Sequence, residues 1–209
     1  MGKLKFDATI ERGENKMLEI KQSSTFENSR IYLADIFVEG FYIWLKYFSK
    51  NKTKLKKAFA HIFVLEHFYV AFKDGNPAGM AAVSDGNTLV VKLNKKELTK
   101  HLGFIIGRIA FYVLKKEFEV LGKQGLPRFP EVSFVSVLEK YRRQGIAEEL
   151  INYVISHTTY EKYILEVADN NTPAVKLYEK LGFKEYFRVP VKNKKQTGFD
   201  FYIYLIKEK

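Results

Sequence analysis

A basic, glycine-containing loop is the part of this 209-residue sequence whose residue types best suit ligand chemistry. It reads Arg142-Arg143-Gln144-Gly145-Ile146-Ala147, between a β-rich run at 131–138 and an amphipathic helical pattern. A loop that opens a helix directs unpaired backbone N–H groups and the positive end of the helix dipole at one point. Gly145 permits close approach of the backbone, and the two arginines add hydrogen-bond donors. The pattern predicts a phosphate or pyrophosphate ligand.

A second patterned block follows, with a predicted strand at 162–168 and then the run from Asp169 to Phe183. Thr172 is a good capping residue, and Pro173 suits the first helical position. Gly182 suits a left-handed helix stop. The block therefore predicts a strand followed by a short capped helix.

Together the two blocks resemble the signatures of the GNAT superfamily, the acyl-CoA-dependent N-acetyltransferases. Arg142, Gly145 and Ala147 match its [QR]xxGx[GA] positions, and neither GxxxxGK[ST] nor GxGxxG is present at the loop. One departure is Glu139, where many members have proline. The second block is similar to the family pattern at Asn171, Ala174, Leu177, Tyr178, Gly182 and Phe183.

This resemblance implies an α/β (α+β) fold, in which a mixed, twisted, mostly antiparallel sheet splays apart at a CoA cleft between flanking helices. It also implies that acetyl-CoA is the cosubstrate and that a primary amine attacks it directly in a ternary complex. The absence of cysteine is compatible with a reaction that has no acyl-enzyme. The residues implied to bind acetyl-CoA are Val135, Val137, Arg142, Arg143, Gln144, Gly145, Ile146, Ala147, Asn171 and Tyr178.

Two residues are predicted to be catalytic. Tyr178 resembles the general acid of the family, and the alternative interpretation is a packed aromatic on this helix face. Glu131, at the start of the strand 131–138, is the predicted base, and Glu166 is a second candidate. Either glutamate could instead be a solvated residue at a strand end. Ser133, Ser136 and the histidines are interpreted as structural, and no metal site is predicted.

The rest of the chain must complete the sheet around these blocks, and no repeat or linker divides it. We therefore predict one domain over 1–209 with a motif core at 131–190. Four aromatic residues near the end of the sequence could bind the acceptor or belong to the core of the sheet. They are Phe187, Phe199, Phe201 and Tyr202. The predicted elements are a strand at 17–21, a helix at 30–48, a hairpin at 68–84, an atypical helical insertion at about 94–121 with candidate breaks at Gly103 and Gly107, and strands at 185–191 and 199–206.

Composition limits the classes of protein to which the chain could belong. The lack of cysteine excludes disulfide frameworks, thiolate zinc sites and a cysteine nucleophile. The apolar runs are shorter than the roughly 20 residues of a membrane span. No signal peptide can be recognised at the start of the sequence. We therefore predict a cytoplasmic protein without a membrane partner.

The net charge of +11 suits a polyanion but does not identify one. CoA is one such partner, and the acceptor amine remains unidentified. A non-catalytic acyl-CoA sensor is one alternative function. Another is a modifier of nucleic-acid-associated proteins, such as ribosomal proteins, that would use the lysines of 50–57 and 192–195. Nucleic acid is not favoured, because lysine-rich solvated faces are common, and a homodimer is left open.

Overall fold

One open, mixed sheet of eight strands organises the computed structural model, which describes residues 8–10, 18–119, 121, 127–191 and 194–209. The strands are β1 (Ala8–Ile10), β2 (Leu18–Gln22), β3 (Phe68–Lys73), β4 (Asn76–Ser84), β5 (Glu131–Val137), β6 (Lys162–Ala168), β7 (Lys184–Pro190) and β8 (Phe201–Glu208). Their spatial order is β1-β2-β3-β4-β5-β6-β8-β7. Neighbouring strands are antiparallel, except that β5 and β6 are parallel. The predicted fold class is confirmed.

Helices cover both faces of this sheet, and each face has its own cluster of buried side chains. The helices are α1 (Ser29–Leu45), α2 (Lys52–Phe59), α3 (Lys95–Leu102), α4 (Phe104–Phe118), α5 (Ile146–Ser156), α6 (Thr172–Lys180) and α7 (Lys194–Thr197). One cluster joins strand residues such as Val70 and Met80 to helices α1–α4. The other joins residues such as Val83 and Leu165 to α5 and α6. None of the helices in the described ranges has the length and apolar character needed to cross a bilayer.

The sheet splits between β5 and β6. In register, these two strands share only the pair Glu131 with Ile164 within the described residues, whereas β6 pairs with β8 along its whole length. Because Glu131 begins β5, the two strands are joined at their start and diverge toward Val137 and Ala168. The resulting cleft opens at the carboxyl ends of both strands.

The predicted helical insertion forms two packed helices. Gly103 separates α3 from α4 with φ 90 and ψ 161, a conformation that favours glycine. Gly107 is not a break, because it lies inside α4 against Thr99. A Cβ placed on Gly107 would lie 2.5 Å from the Cα of Thr99, so this glycine permits the close contact between the two helices.

Two local expectations need correction. Helix α6 begins at Thr172 itself, so Asn171 occupies the cap position predicted for Thr172. In the tail, β8 begins at Phe201 rather than Phe199, and the short helix α7 precedes it. The left-handed stop at Gly182 is confirmed by its φ of 87.

Candidate active site

The basic loop lies at the open end of the cleft and has a strongly turned backbone. Gly145, which caps α5, has φ 80, and Arg143 has φ 59. A Cβ placed on Gly145 would meet no atom within 4 Å, so there is free space in front of the loop. Arg142 Nε donates to the Val137 carbonyl at 3.2 Å, which ties the loop to the end of β5. The arrangement can receive an anion at the start of α5.

The charges around this loop are consistent with a polyanionic ligand. Arg142 and Arg143 are both exposed at the helix start. Glu148, in the first turn of α5, would oppose an incoming phosphate, but its carboxylate accepts from Lys180 Nζ at 2.7 Å. This ion pair joins α5 to α6 and offsets the negative charge. The residues present therefore fit the pyrophosphate of CoA.

Strand β5 carries a β-bulge in the middle of the cleft wall. Phe134 and Val135 together lie opposite Ala81 of β4, and Phe134 has φ 51. The bulge changes the alternation of the strand, so that Val135 and Val137 both pack on the α5–α6 side. Such a bulge bends a strand and interrupts its ladder of backbone hydrogen bonds. The sequence analysis predicted the strand but not the bulge.

An aromatic cluster on the α1–α4 side surrounds Phe134. Its ring centroid lies 5.5 Å from that of Phe118 and 5.9 Å from those of Phe41 and Phe68. A positive φ is unfavourable for a residue with a side chain, and the contacts with these rings stabilise it here. The sequence analysis missed Phe134, because its role depends on register and on helices distant in the chain.

Helix α1 lies directly against β5 through a glycine. A Cβ placed on Gly40 would lie 2.1 Å from Ser136 Oγ and 3.1 Å from Ser136 Cβ. Ser136 therefore packs directly against α1. The contact also fixes the position of the C-terminal turns of α1 beside the cleft.

We expect Gly40→Ala to lower the free energy of unfolding by about 1 kcal/mol. Overpacking costs about 1–3 kcal/mol, and the better helix propensity of alanine offsets up to about 1 kcal/mol of that. Urea unfolding would measure the change, and adding Ser136→Ala should restore much of it by removing Oγ. A Gly40→Ala variant more stable than the parent chain would contradict the close contact.

Tyr178 is buried on α6, with 8% of its surface exposed. Its ring meets Phe183 edge-on at 6.3 Å, and both residues belong to the cluster on the α5–α6 side. Burial raises the pKa of Tyr178 to about 12, so the hydroxyl keeps its proton at neutral pH. Nearby Asn171 is exposed, and in the described structure its side chain makes no capping hydrogen bond.

Both candidate glutamates lie on the α1–α4 side of the sheet. Val132 packs on the α5–α6 side, so its neighbour Glu131 faces the opposite way. Val167 also packs on the α5–α6 side, so its neighbour Glu166 lies on the α1–α4 face, where it is exposed. Glu131 is partly buried at the closed end of the cleft. The fold thus brings two carboxylates from adjacent strands to one face.

A cavity of about 510 Å³ lies at the open end of the cleft, beside the C-terminal end of α1. Phe199 lines it, whereas Phe187 stacks on Tyr204 at 4.3 Å within the sheet. The exposed rings of Trp44 and Tyr47 also line it, and the sequence analysis missed both. The other lining residues are Ile43, Lys46, Ala168, Asn170, Asn171, Thr197 and Gly198.

The lysine-rich segment 50–57 has less free charge than its composition indicates. Lys52 pairs with Glu39, and Lys56 lies 3.2 Å from Asp35. Part of the positive charge is therefore neutralised within the fold. The second basic segment, 192–195, lies partly outside the described residues.

Comparisons with known proteins agree with this geometry. The model of the Acetyltransferase (GNAT) family matches residues 30–183. An N-alpha-acetyltransferase of Sulfurisphaera tokodaii is 31% identical over 140 residues, which are 65% of this chain and 71% of that protein. One from Saccharolobus solfataricus is 29% identical with the same coverage. The crystal structure of an N-acetyltransferase from Staphylococcus aureus Mu50 has a TM-score of 0.61 at 18% identity, covering 90% of this chain and 99% of that one.

Proposed function

Because the chain belongs to the GNAT acetyltransferase family, whose members are acyltransferases that use acetyl-CoA, we propose that it acetylates the α-amino group of polypeptide N-termini. The observation that carries the proposal is the split between β5 and β6, with a basic loop at its mouth and an adjoining cavity. The relatives named N-alpha-acetyltransferase support an α-amine acceptor over a lysine or a small amine.

The cosubstrate is proposed to enter the cleft from the open end. Backbone N–H groups of Arg143, Gln144, Gly145, Ile146 and Ala147 would hold its pyrophosphate, and the Arg142 and Arg143 side chains would add charge. Along β5, the backbone near Val135 and Val137 would pair with the pantetheine arm. Asn171 and Tyr178 would approach from α6. When bound, acetyl-CoA supplies the reactive thioester.

The acceptor is proposed to reach the thioester from the cavity on the α1–α4 side. Its nitrogen bonds to the acetyl carbonyl carbon as the bond from that carbon to sulfur breaks. Glu131 lies on the same face of the sheet but at the closed end of the cleft, so it would accept the proton that the nitrogen loses through intervening water. An α-amine has a reference pKa of about 7.7–8.0 against about 10.4 for lysine, so less help from a base is required.

Tyr178 is proposed to stabilise the departing sulfur. With a pKa of about 12, its hydroxyl is a much weaker acid than a thiol, whose reference pKa is about 8.5. Complete proton transfer would therefore be uphill, and a hydrogen bond from the hydroxyl to the thiolate is the favourable interaction. The proton on the released thiol then comes from solvent.

A panel of acceptors tests the proposal by thiol release from acetyl-CoA. The panel contains a lysine-free peptide with a free N-terminus, the same peptide blocked at its N-terminus, a blocked peptide with one lysine, and a small primary amine. We expect release with the first peptide and mass spectrometry to place the acetyl group on its α-nitrogen. Faster release with lysine or the small amine would overturn the acceptor class. Acetyl-CoA binding without release from any acceptor would favour the sensor.

The pH dependence of kcat/KM should rise from pH 6 and level off near pH 8–9, as an acceptor of reference pKa about 7.7–8.0 loses its proton. We expect no decrease in kcat/KM up to pH 10. The pKa of Tyr178 is raised to about 12, so its donating form persists across this range. Initial rates in overlapping buffers would measure the profile. A decline between pH 8 and 9.5 in folded protein would contradict the role of Tyr178.

A further inference from the structure

The outer face of α4 is apolar, although the helix already buries its inner face. Gly107, Ala110 and Leu114 face the core. A helix that is apolar on both sides is normally covered on both sides. The outer residues have exposures between 37% and 71%, and they are Phe104, Ile105, Ile106, Ile109, Tyr112 and Val113.

These residues form a convex ridge rather than a groove. Ile105, Ile109 and Tyr112 follow the i, i+4, i+7 spacing and make its crest. The combined exposed area is several hundred Å², comparable to the largest apolar patch on a typical monomer, about 300–600 Å². None of these residues lines the cavity or the basic loop. The ridge therefore lies outside the proposed reaction.

The ridge is surrounded by positive charge. The segment 92–119 contains seven Lys and Arg against three Glu. Two of the three glutamates form ion pairs with lysines of the same segment, since Glu97 contacts Lys100 and Glu119 contacts Lys115. Arg108, Lys96 and Lys116 are exposed around the ridge.

Cations from α3 and α4 also lie against the rings of α4. The Arg108 guanidinium lies 5.2 Å from the centre of the Phe104 ring, and Lys95 Nζ lies 5.6 Å from that of Tyr112. Side chains of this kind keep their charge in water while their stems lie along apolar surface. Basic, aromatic and aliphatic residues on one exposed helix are typical of helices that lie in a bilayer interface.

We propose that α4 binds an anionic lipid surface, with Ile105, Ile109 and Tyr112 inserted below the headgroups. Arg108 and Lys116 then contact the lipid phosphates. A second copy of the chain would present the same convex ridge and the same positive rim. The two positive rims would therefore repel each other. The expectation of no membrane partner came from the lack of a spanning segment, which a helix lying in the interface does not need.

Sedimentation of the full chain with vesicles tests the proposal. We expect binding to a two-to-one mixture of phosphatidylcholine and phosphatidylglycerol, and binding about tenfold weaker to phosphatidylcholine alone. The double variant Ile105→Asp/Ile109→Asp should weaken binding about tenfold or more. Arg108→Glu/Lys116→Glu should weaken binding to the anionic mixture. Ile31→Asp, at a 56% exposed position on α1, is the matched control and should bind normally.

Several results would overturn the proposal. These are equal binding to both vesicle types, no binding to either, or an equal loss in the Ile31→Asp control. A dimer in analytical ultracentrifugation that Ile105→Asp/Ile109→Asp dissociates would instead assign the ridge to a second copy. Acetyl-CoA binding by each variant is measured separately, so a failure of lipid binding is distinguishable from a failure of the active site.

Discussion

Gly145→Glu should raise the dissociation constant of acetyl-CoA by at least about a hundredfold, or about 2.7 kcal/mol. Gly145 has φ 80, where a residue with a Cβ costs about 1–2 kcal/mol. The new carboxylate would also fill the open space at the start of α5 and repel the pyrophosphate. Calorimetric titration would measure the loss, and the rise in melting temperature with acetyl-CoA should disappear.

Gly75→Glu is the matched control for this substitution. Gly75 has φ 74 in the turn between β3 and β4, and a Cβ there also meets no atom within 4 Å. The control therefore carries the same backbone strain and the same charge at a position away from the cleft. It should lose stability but keep its affinity for acetyl-CoA. Normal affinity in Gly145→Glu would show that the loop does not hold the pyrophosphate.

The elements next to the two motifs could be predicted because their signals are local. Gly182 stops α6 with the positive φ that the sequence indicated. Gly145, predicted to permit close approach of the backbone, caps α5 and also has a positive φ. The break at Gly103 follows the same rule. The identity of the cap was less predictable, because Asn171 and Thr172 are both good capping residues and only the backbone decides between them.

The interior of the cleft could not be predicted from the sequence alone. The bulge at Phe134 appears only when β5 is registered against β4, and the rings that hold it come from α1, β3 and α4. Gly40 looks like an ordinary glycine in a helix until its distance to Ser136 is known. Trp44 lies in the last turn of α1 and Tyr47 in the turn after it, and only the fold shows that both line the cavity. Each of these features depends on contacts between residues far apart in the chain.

Tyr178→Phe should lower kcat about a hundredfold while changing the dissociation constant of acetyl-CoA less than about threefold. The hydroxyl is proposed to bond the departing sulfur, an interaction that strengthens as negative charge develops there. The ring itself stays in its contact with Phe183, so the core should remain packed. Steady-state rates with a free N-terminal peptide and calorimetric titration of acetyl-CoA separate the two effects.

Tyr163→Phe separates a catalytic hydroxyl from a structural one. Tyr163 is buried in the same cluster as Tyr178, and its hydroxyl lies 2.7 Å from Thr158 Oγ1 and donates to the Ile155 carbonyl at 3.2 Å. Losing these bonds should cost about 1 kcal/mol of stability and leave kcat unchanged. Tyr178→Phe should show the opposite pattern, with normal stability and a low rate. If Tyr178→Phe keeps the parent rate, Tyr178 is a core residue, and the thiolate must be stabilised by another group.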